Sequence, residues 1–512
     1  MISCVALRAQ PPAIGQNGVV NEASRTPPTL AGGALARGAR FSISGVRLAD
    51  GGQPTVTLTQ GRSSVNATVL SSTPLHIQAL IPNNAPLGDV ELHVRRGSET
   101  STRFPIRVLR ANIGLYSQSG LGWGPGKIHN LGKAETLNSI ERPAHVSERI
   151  SISATGAGTS PVKVFVGGVA ARVVSVRPAP EPGNDEVVVE IPPAAAEGCF
   201  VPVYAQHEDL PPSNIVTMSI RRGPGPCDVP AGFPIPILTG SRVGAIVLSR
   251  LFGMSQNGRE TWTDDDAVAA FAERASGPAI TPLLMAPPPG TCTSYTGSSE
   301  SSDSFPTALS AGLISQIGDR GLAVGSALEL VNQQSESKRV IPATPGATGY
   351  YRAPLGSSTT RRRPLFLAPG TYWLKSPGGR DGGEFELTLK SAEPFQWTNR
   401  DAVDTVRRDR PLTLTWSPAR HGQIIVIVAI SVDALTTARG MVYCSTDAGP
   451  GHFTIPAQML ANLPAAGDIP GEPLHQLMVA TLLGYPAPVR SSGLDNLAVI
   501  SAFVNARVVA FR

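Results

Sequence analysis

Apolar and polar residues alternate over short runs along most of the chain, and the runs end in Gly, Pro, Asn, Asp or Ser. Successive side chains of a strand point to opposite faces, so a period of two predicts half-buried β-strands. Thr55-Val56-Thr57-Leu58-Thr59, Gly88-Asp89-Val90-Glu91-Leu92-His93-Val94 and Glu186-Val187-Val188-Val189-Glu190 are of this kind. The longest apolar run, Ile424-Ile425-Val426-Ile427-Val428-Ala429-Ile430, is β-branched and far short of the roughly 20 residues that span a bilayer. It predicts a buried strand, and no transmembrane segment is expected. Helical signals are few. Pro456 to Leu463 reads as a short helix with Pro at its first position, and Thr263-Asp264-Asp265-Asp266 before an Ala-rich run reads as a helix start or a plain acidic loop. A Ca²⁺ site at the same acidic run lacks the spaced D-x-D-x-D-G pattern.

The order of strands is written twice. Arg40-Phe41-Ser42-Ile43-Ser44-Gly45 begins a ladder that runs through Leu75 to Pro82 and ends at Phe104 to Val108. Roughly 110 positions on, Arg149-Ile150-Ser151-Ile152-Ser153-Ala154 begins it again, through Val162 to Gly168, Glu186 to Pro192, Cys199 to Val203 and Asn214 to Ile220. Gly167-Gly168 has the chemistry of a two-residue hairpin loop, and Ile81-Pro82 and Ile191-Pro192 close matching strands. Turn signals every 8 to 12 positions are the signature of a β-sandwich. Both copies resemble IPT/TIG-type immunoglobulin-like domains. Gly18 to Ser24 and Asn112 to Gln118, running on to Asn138-Ser139, are similar to the opening of an uncharacterised C-terminal β-domain of exported Solibacter-type bacterial proteins. Trp123-Gly124-Pro125-Gly126-Lys127 departs from that rhythm. The resemblance implies an immunoglobulin fold and export from a bacterium, and supplies no catalytic residues.

The remainder also reads as β. Pro224 to Pro236, rich in Pro and Gly, predicts a linker. Beyond it lie the runs Val243 to Leu248, Ala327 to Val331, Leu365 to Leu367, Thr371 to Leu374 and Glu384 to Leu389, the third and fourth flanking the turn Ala368-Pro369-Gly370. A last unit from Gln396 carries Leu412 to Trp416, Met441 to Cys444 and Ala498 to Phe511, with Trp416 on a core face. The expected class is therefore all-β: immunoglobulin-like sandwiches over 11–110 and 111–225, then β-rich domains over 231–393 and 394–512. Ser298 to Ser304 reads as a flexible loop.

Composition sharpens this in three ways. Charged residues are 16% and the net charge is +5, too dilute a basic surface to point to nucleic acid. Arg361-Arg362-Arg363 and Arg407-Arg408-Asp409-Arg410 read as solvated loop charge, with an anionic glycan or lipid contact as the sharper alternative. Of five cysteines none has C-x-x-C spacing, so no metal or cofactor is expected. With Cys4 set aside in a processed N-terminus, four remain, and the expected disulfides are Cys199–Cys227 and Cys292–Cys444, in an oxidising compartment. Five reduced thiols in a cytosolic protein is the competing account. The segment Met1 to Gln10 lacks a basic region but ends like a cleaved signal, so the signal peptide is expected upstream of this start.

No G-x-S-x-G, H-E-x-x-H or nucleotide-binding loop is present, and the eight His are scattered singly. Trp373, Trp397, Tyr350 and Tyr351 are the candidates for an exposed platform that stacks on a sugar, with core packing as the alternative. The functional expectation is a non-enzymatic extracellular protein, structural, adhesive or glycan-binding at the cell surface, with a polysaccharide or another surface protein as partner. The alternatives are an exported hydrolase with its site in 231–512 and the immunoglobulin-like copies as accessory modules, and a filament subunit assembling through β-edges.

Overall fold

The computed structural model describes residues 10–49, 52–132, 134–229, 235, 240–274, 284–298, 317–359, 363–466, 475–484 and 493–512. The signal-like N-terminus, most of the Ser298 to Ser304 loop, part of the Pro224 to Pro236 linker, and Arg361 and Arg362 lie outside the described residues. The protein is all-β. Its one α-helix among the described residues is the single turn Ala457–Leu460, entered through extended Pro456.

The first module is a two-sheet sandwich. Strands Ala13–Asn21, Arg40–Val46, His76–Leu80 and Thr68–Ser72 form one sheet, and Leu35–Ala36, Phe104–Leu109, Gly88–Arg96, Thr55–Gln60 and Ser63–Asn66 the other. The alternation in the sequence decides the core: Phe41, Ile43, Val56, Leu58, Ile77, Leu92 and Val94 all point between the sheets. The second module repeats the order. Ile128–Leu131, Arg149–Thr155 and Asp185–Glu190 match the first sheet; Lys163–Val166, Gly198–Gln206 and Val216–Ile220 match the second.

One difference separates the copies. In the second, Val169–Pro178 is a single strand that leaves Lys163–Val166 and passes on to pair with Asp185–Glu190, joining both sheets. In the first, the equivalent chain is broken at Ala67 into Ser63–Asn66 and Thr68–Ser72, one piece for each sheet. The turn that starts the continuous strand is Gly167-Gly168, with φ of 60° and 80°, between paired Val166 and Val169. Both values lie in the left-handed region that glycine enters without steric cost, as a type I′ hairpin requires.

The second half departs from the sequence reading. A nine-stranded sheet runs Thr291–Ser298, Ala438–Asp447, Ile424–Val432, Gln476–Gly484, Asn496–Val508, Arg242–Met254, Thr261–Glu273 and Arg320–Gly321, with Tyr350–Ser357 also on Thr261–Glu273. It takes strands from both 231–393 and 394–512, so those ranges share one sheet and its core. The physical reason is the pair Arg242–Met254 and Asn496–Val508, parallel from Val243 opposite Asn496 to Phe252 opposite Asn505. A boundary placed at 394 would cut the chain between partners that satisfy each other's backbone.

Both faces of this sheet are apolar. One carries Val243, Val247, Val428, Tyr443 and Ile500, and meets Trp123, Phe200 and the Cys199–Cys227 disulfide of the second module. The other is covered by two small sheets. Leu330, Tyr372, Leu374 and Leu387 of the first small sheet pack on Ile246, Leu248, Phe271 and Val499. Trp397, Leu414 and Trp416 of the second pack around Ile425, Ile427 and Val479. Cys292 and Cys444 face each other on adjacent strands of the large sheet and are joined across it.

Two further local readings are corrected. Thr263-Asp264-Asp265-Asp266 is neither helix start nor loop but lies inside the strand Thr261–Glu273. Asp265 has no exposed side chain and sits opposite Arg250, whose Nε and Nη2 donate to its two oxygens at 2.7 and 2.8 Å. Leu365 to Leu367 is not a strand, and no hairpin forms at Ala368-Pro369-Gly370. The N–H groups of Phe366 and Leu367 donate instead to Asp265 Oδ2, at 2.5 and 2.8 Å. One buried carboxylate thus takes four donors that would otherwise go unpaired in the core.

That arrangement yields a stability prediction. Asp265→Asn keeps the shape but leaves Arg250 with an uncompensated charge, and is expected to lower unfolding free energy by about 3–5 kcal/mol in urea denaturation. Combining it with Arg250→Met is expected to recover much of the loss; a single-variant loss under about 1 kcal/mol would show that the pair does not organise this region.

Candidate functional site

The four aromatic candidates do not form one platform. Tyr350 and Tyr351 are neighbours on a strand and therefore face opposite ways. Tyr351 is 1% exposed, its hydroxyl donating to Gly325 O at 2.8 Å and accepting from Val324 N–H, its ring edge-on to Phe271. Tyr350 is partly buried against the large sheet, and burial raises its pKa. Trp397 is 2% exposed, stands opposite Trp416 in the ladder and donates Nε1–H to Asn399 Oδ1 at 2.8 Å. These three belong to the core or its margin. Trp373 alone is turned outward, 38% exposed.

Trp373 lies on the four-stranded sheet Lys338–Pro342, Ala327–Asn332, Thr371–Ser376 and Phe385–Lys390. Alternate residues of these strands pack inward on the large sheet, which leaves a solvent face of the intervening ones. The register sets that face out in rows. Lys338, Val331, Trp373 and Thr388 lie side by side, and so do Val340, Glu329, Lys375 and Glu386.

Of two ion pairs on the face, Lys338–Glu329 crosses from one row to the other and Lys375–Glu386 lies within the second. Lys375 Nζ is 3.0 Å from Glu386 Oε2 and 5.2 Å from the centre of the Trp373 ring; Lys338 Nζ is 3.0 Å from Glu329 Oε2. A cation beside the indole fixes it by charge–quadrupole attraction. Past the second row the face opens into a cleft of about 680 Å³, bounded by Glu329, Val340, Lys375, Pro377, Glu384 and Glu386. Its rim is the loop after Ser376, pinned by Asp381: the carboxylate accepts Ala323 N–H at 2.9 Å, and the Asp381 N–H donates to Ala323 O. The Ala323 bond, with Arg380 and Arg320 nearby, holds the Asp381 carboxyl down at about 2.

The arrangement offers a flat apolar ring, two ammonium groups and three carboxylates on a rigid support. Sequence alternation alone marks Glu329, Lys375 and Glu386 as outward-facing, since each sits between buried neighbours. What it could not supply is the register that brings them beside Trp373. Of the scattered histidines, His76 and His93 lie on strands of the first module, and burial lowers the pKa of each. Arg407 pairs with Asp409, whereas Arg408 donates to Leu463 O at 2.8 Å, so that cluster is partly structural.

No protein-family model matches the chain, and a search of curated proteins finds no match. Among solved structures it is similar to SGBP-B of a Bacteroides ovatus mixed-linkage glucan utilization locus, in complex with a mixed-linkage heptasaccharide. The identity is 13%, the match covers 36% of this chain and 44% of that one, and the TM-score is 0.21. This chain thus spans less than half of that protein's length. SGBP-B from a complex xyloglucan utilization locus of Bacteroides uniformis matches with 10% identity, 67% and 86% coverage and a TM-score of 0.18. Domains 5-6 of the S-layer protein SbsC match with 10% identity, 42% and 100% coverage and a TM-score of 0.19. Likenesses at these scores carry no argument about what this chain binds.

The contrast between the tryptophans is directly measurable. Trp397→Ala removes a buried ring and is expected to cost about 3–5 kcal/mol of stability. Trp373→Ala is expected to stay within about 0.5 kcal/mol of the parent, as for an exposed surface position. Comparable losses in thermal unfolding for both would contradict the outward placement of Trp373.

Proposed function

We propose that this protein is a non-enzymatic, exported bacterial β protein that contacts polysaccharide at the cell surface through the outer face of its four-stranded sheet. The observation that supports it most is Trp373, an outward indole on a rigid sheet beside a cleft edged by the Lys375–Glu386 pair, Glu329 and Glu384. The exposed part of the ring gives a sugar's flat C–H face a surface to stack on, with the ion pairs beside it to meet the hydroxyls.

The two disulfides, Cys199–Cys227 and Cys292–Cys444, suit an oxidising compartment. Among the described residues no helix is long and apolar enough to cross a membrane. The paired immunoglobulin-like modules, of IPT/TIG type by their sequence rhythm, would then act as a stiff spacer. Their junction supports stiffness. Asn112 Nδ2 donates to Gly32 O and Ala34 O, and Arg40 N–H donates to Thr155 Oγ1 at 2.9 Å, tying one module to the other.

The hydrolase reading, with its site in 231–512, would draw on carboxylates such as those at this cleft, and is the weaker of the two. Glycoside hydrolysis asks one carboxyl group to protonate a leaving oxygen while its partner acts as base or nucleophile. Glu329 and Glu386 are each occupied by a lysine ammonium at 3.0 Å, an arrangement suited to holding hydroxyls in place.

The test is retention of the intact protein on insoluble cell-surface polysaccharide. The parent is expected to be retained, and Trp373→Ala to bind about tenfold more weakly or worse, as for loss of a central aromatic anchor. An unretained parent, or equal retention of parent and variant, would overturn the assignment.

A further inference from the structure

The proposed polysaccharide contact leaves the class of sugar open, and the charge layout of the face narrows it. We infer that the face selects an uncharged polyhydroxylated chain, built of pyranose rings with equatorial hydroxyls, over uronate-bearing, sulfated or amino-sugar polymers. This inference rests on the assignment of the Trp373 face to glycan contact.

The argument begins with the charges. Recognition of an anionic polymer needs cations whose partner is the ligand, commonly arginine forks that grip carboxylate or sulfate in two places. Here the cations of the face are Lys338 and Lys375, each with a carboxylate at 3.0 Å, and Lys390, a single exposed ammonium opposite Thr371 in the row beyond Trp373 and not an arginine fork. An incoming uronate would have to displace Glu329 or Glu386, leaving that glutamate facing a second anion. Glu384, at the cleft edge, adds a further negative charge. With Lys390 the charges around Trp373 balance, so a polyanion gains no net attraction there.

An amino-sugar polymer meets the converse difficulty. To pair with Glu329 or Glu386 its ammonium must approach Lys338 or Lys375, and the like-charge repulsion offsets the attraction, which leaves Glu384 at the cleft edge, away from the indole, as its remaining partner. A neutral sugar meets neither obstacle. Each ion pair presents ammonium N–H donors and carboxylate lone pairs together, and a hydroxyl both donates and accepts. A hydroxyl can join an existing Lys–Glu pair without breaking it.

Shape points the same way. Trp373 is flanked on its row by Val331 and Thr388, both short, so the indole stands clear of its neighbours across the sheet. A ring with equatorial hydroxyls presents axial C–H bonds on its flat face, suited to lie on the indole, while the hydroxyls project sideways toward Lys375 and Glu386 in the next row. Neighbouring strands lie roughly 4.8 Å apart, so the four-stranded face is about 14 Å across, wide enough for a chain to extend beyond the ring that stacks.

The experiment is native affinity electrophoresis of the intact protein through gels containing hydroxyethyl cellulose, polygalacturonate or chitosan, with Trp373→Ala and Glu386→Gln run beside it. Expected is retardation in the neutral gel alone, abolished by Trp373→Ala, reduced severalfold by Glu386→Gln, and changed less than about twofold when NaCl rises from about 50 to about 500 mM. Retardation in polygalacturonate or chitosan that exceeds the neutral gel and is lost in Trp373→Ala would overturn the neutral class while leaving the face as the site. Retardation in no gel, or retardation that Trp373→Ala leaves unchanged, would overturn the assignment of the face itself. Matching thermal unfolding of parent and variants separates loss of binding from loss of fold.

Discussion

The parallel ladder between Arg242–Met254 and Asn496–Val508 is the constraint from which the second half of the molecule follows. It joins segments about 250 residues apart, and every other long strand of the large sheet is placed relative to that pair. The ladder closes a very long loop, which is entropically unfavourable, though the cost grows only logarithmically with length. What offsets it is apolar burial on both faces. Val247, Leu248, Val499 and Ile500 are each at most 3% exposed, and burying such a side chain contributes roughly 1.5–3 kcal/mol. A sheet that is apolar on both faces must be covered on both, and the layers that cover it are the rest of the architecture.

On one side the cover is partly the second immunoglobulin-like module. Trp123 meets Tyr295 of the large sheet edge-on at 5.5 Å, and the Cys199–Cys227 disulfide sits in the same cluster. Trp123, in the irregular Trp123 to Lys127 stretch, thus lies at the contact between the second module and the large sheet. Deep burial there raises the pKa of both Tyr295 and Tyr443, keeping both hydroxyls neutral. On the other side the cover is the pair of small sheets. The Asp265 carboxylate fixes the approach of the chain to the first of them, because the irregular segment at Phe366 and Leu367 spends its N–H groups on it. A buried carboxylate without Arg250 would be strongly unfavourable, so the middle residue of a surface-like acidic triplet is in this fold part of the interior.

That triplet shows where sequence patterning stops. The repeat of the first 220 residues was legible because its information is local: period-two alternation, Gly167-Gly168 for a hairpin, Ile-Pro at strand ends. The break at Ala67 in one copy and the continuous Val169–Pro178 in the other were not legible, since either satisfies the same pattern. In the second half the strands themselves were largely visible, yet their partners were not. Nothing near Val243 announces Asn496, so two domains were expected where one sheet exists. Trp373 and Trp397 likewise look equivalent in sequence, each in a short run of alternating residues. Their difference comes from which face meets the large sheet, a tertiary fact.

The position of Trp373 follows from this layering. The first small sheet has one face committed to Ile246, Leu248 and Phe271, and that commitment makes it rigid and leaves its other face to solvent. Lys375 and Glu386 stand opposite each other on that face by strict register, and Lys375 also reaches the indole, so the polar groups and the ring are held by the same backbone ladder. Exposed ion pairs contribute little to stability, on the order of 0–1 kcal/mol each. Their arrangement around one outward tryptophan is the feature on which the proposed polysaccharide contact rests. The large sheet supplies the rigidity, the small sheet supplies the face, and the alternation that opened the sequence determines which residues appear on it.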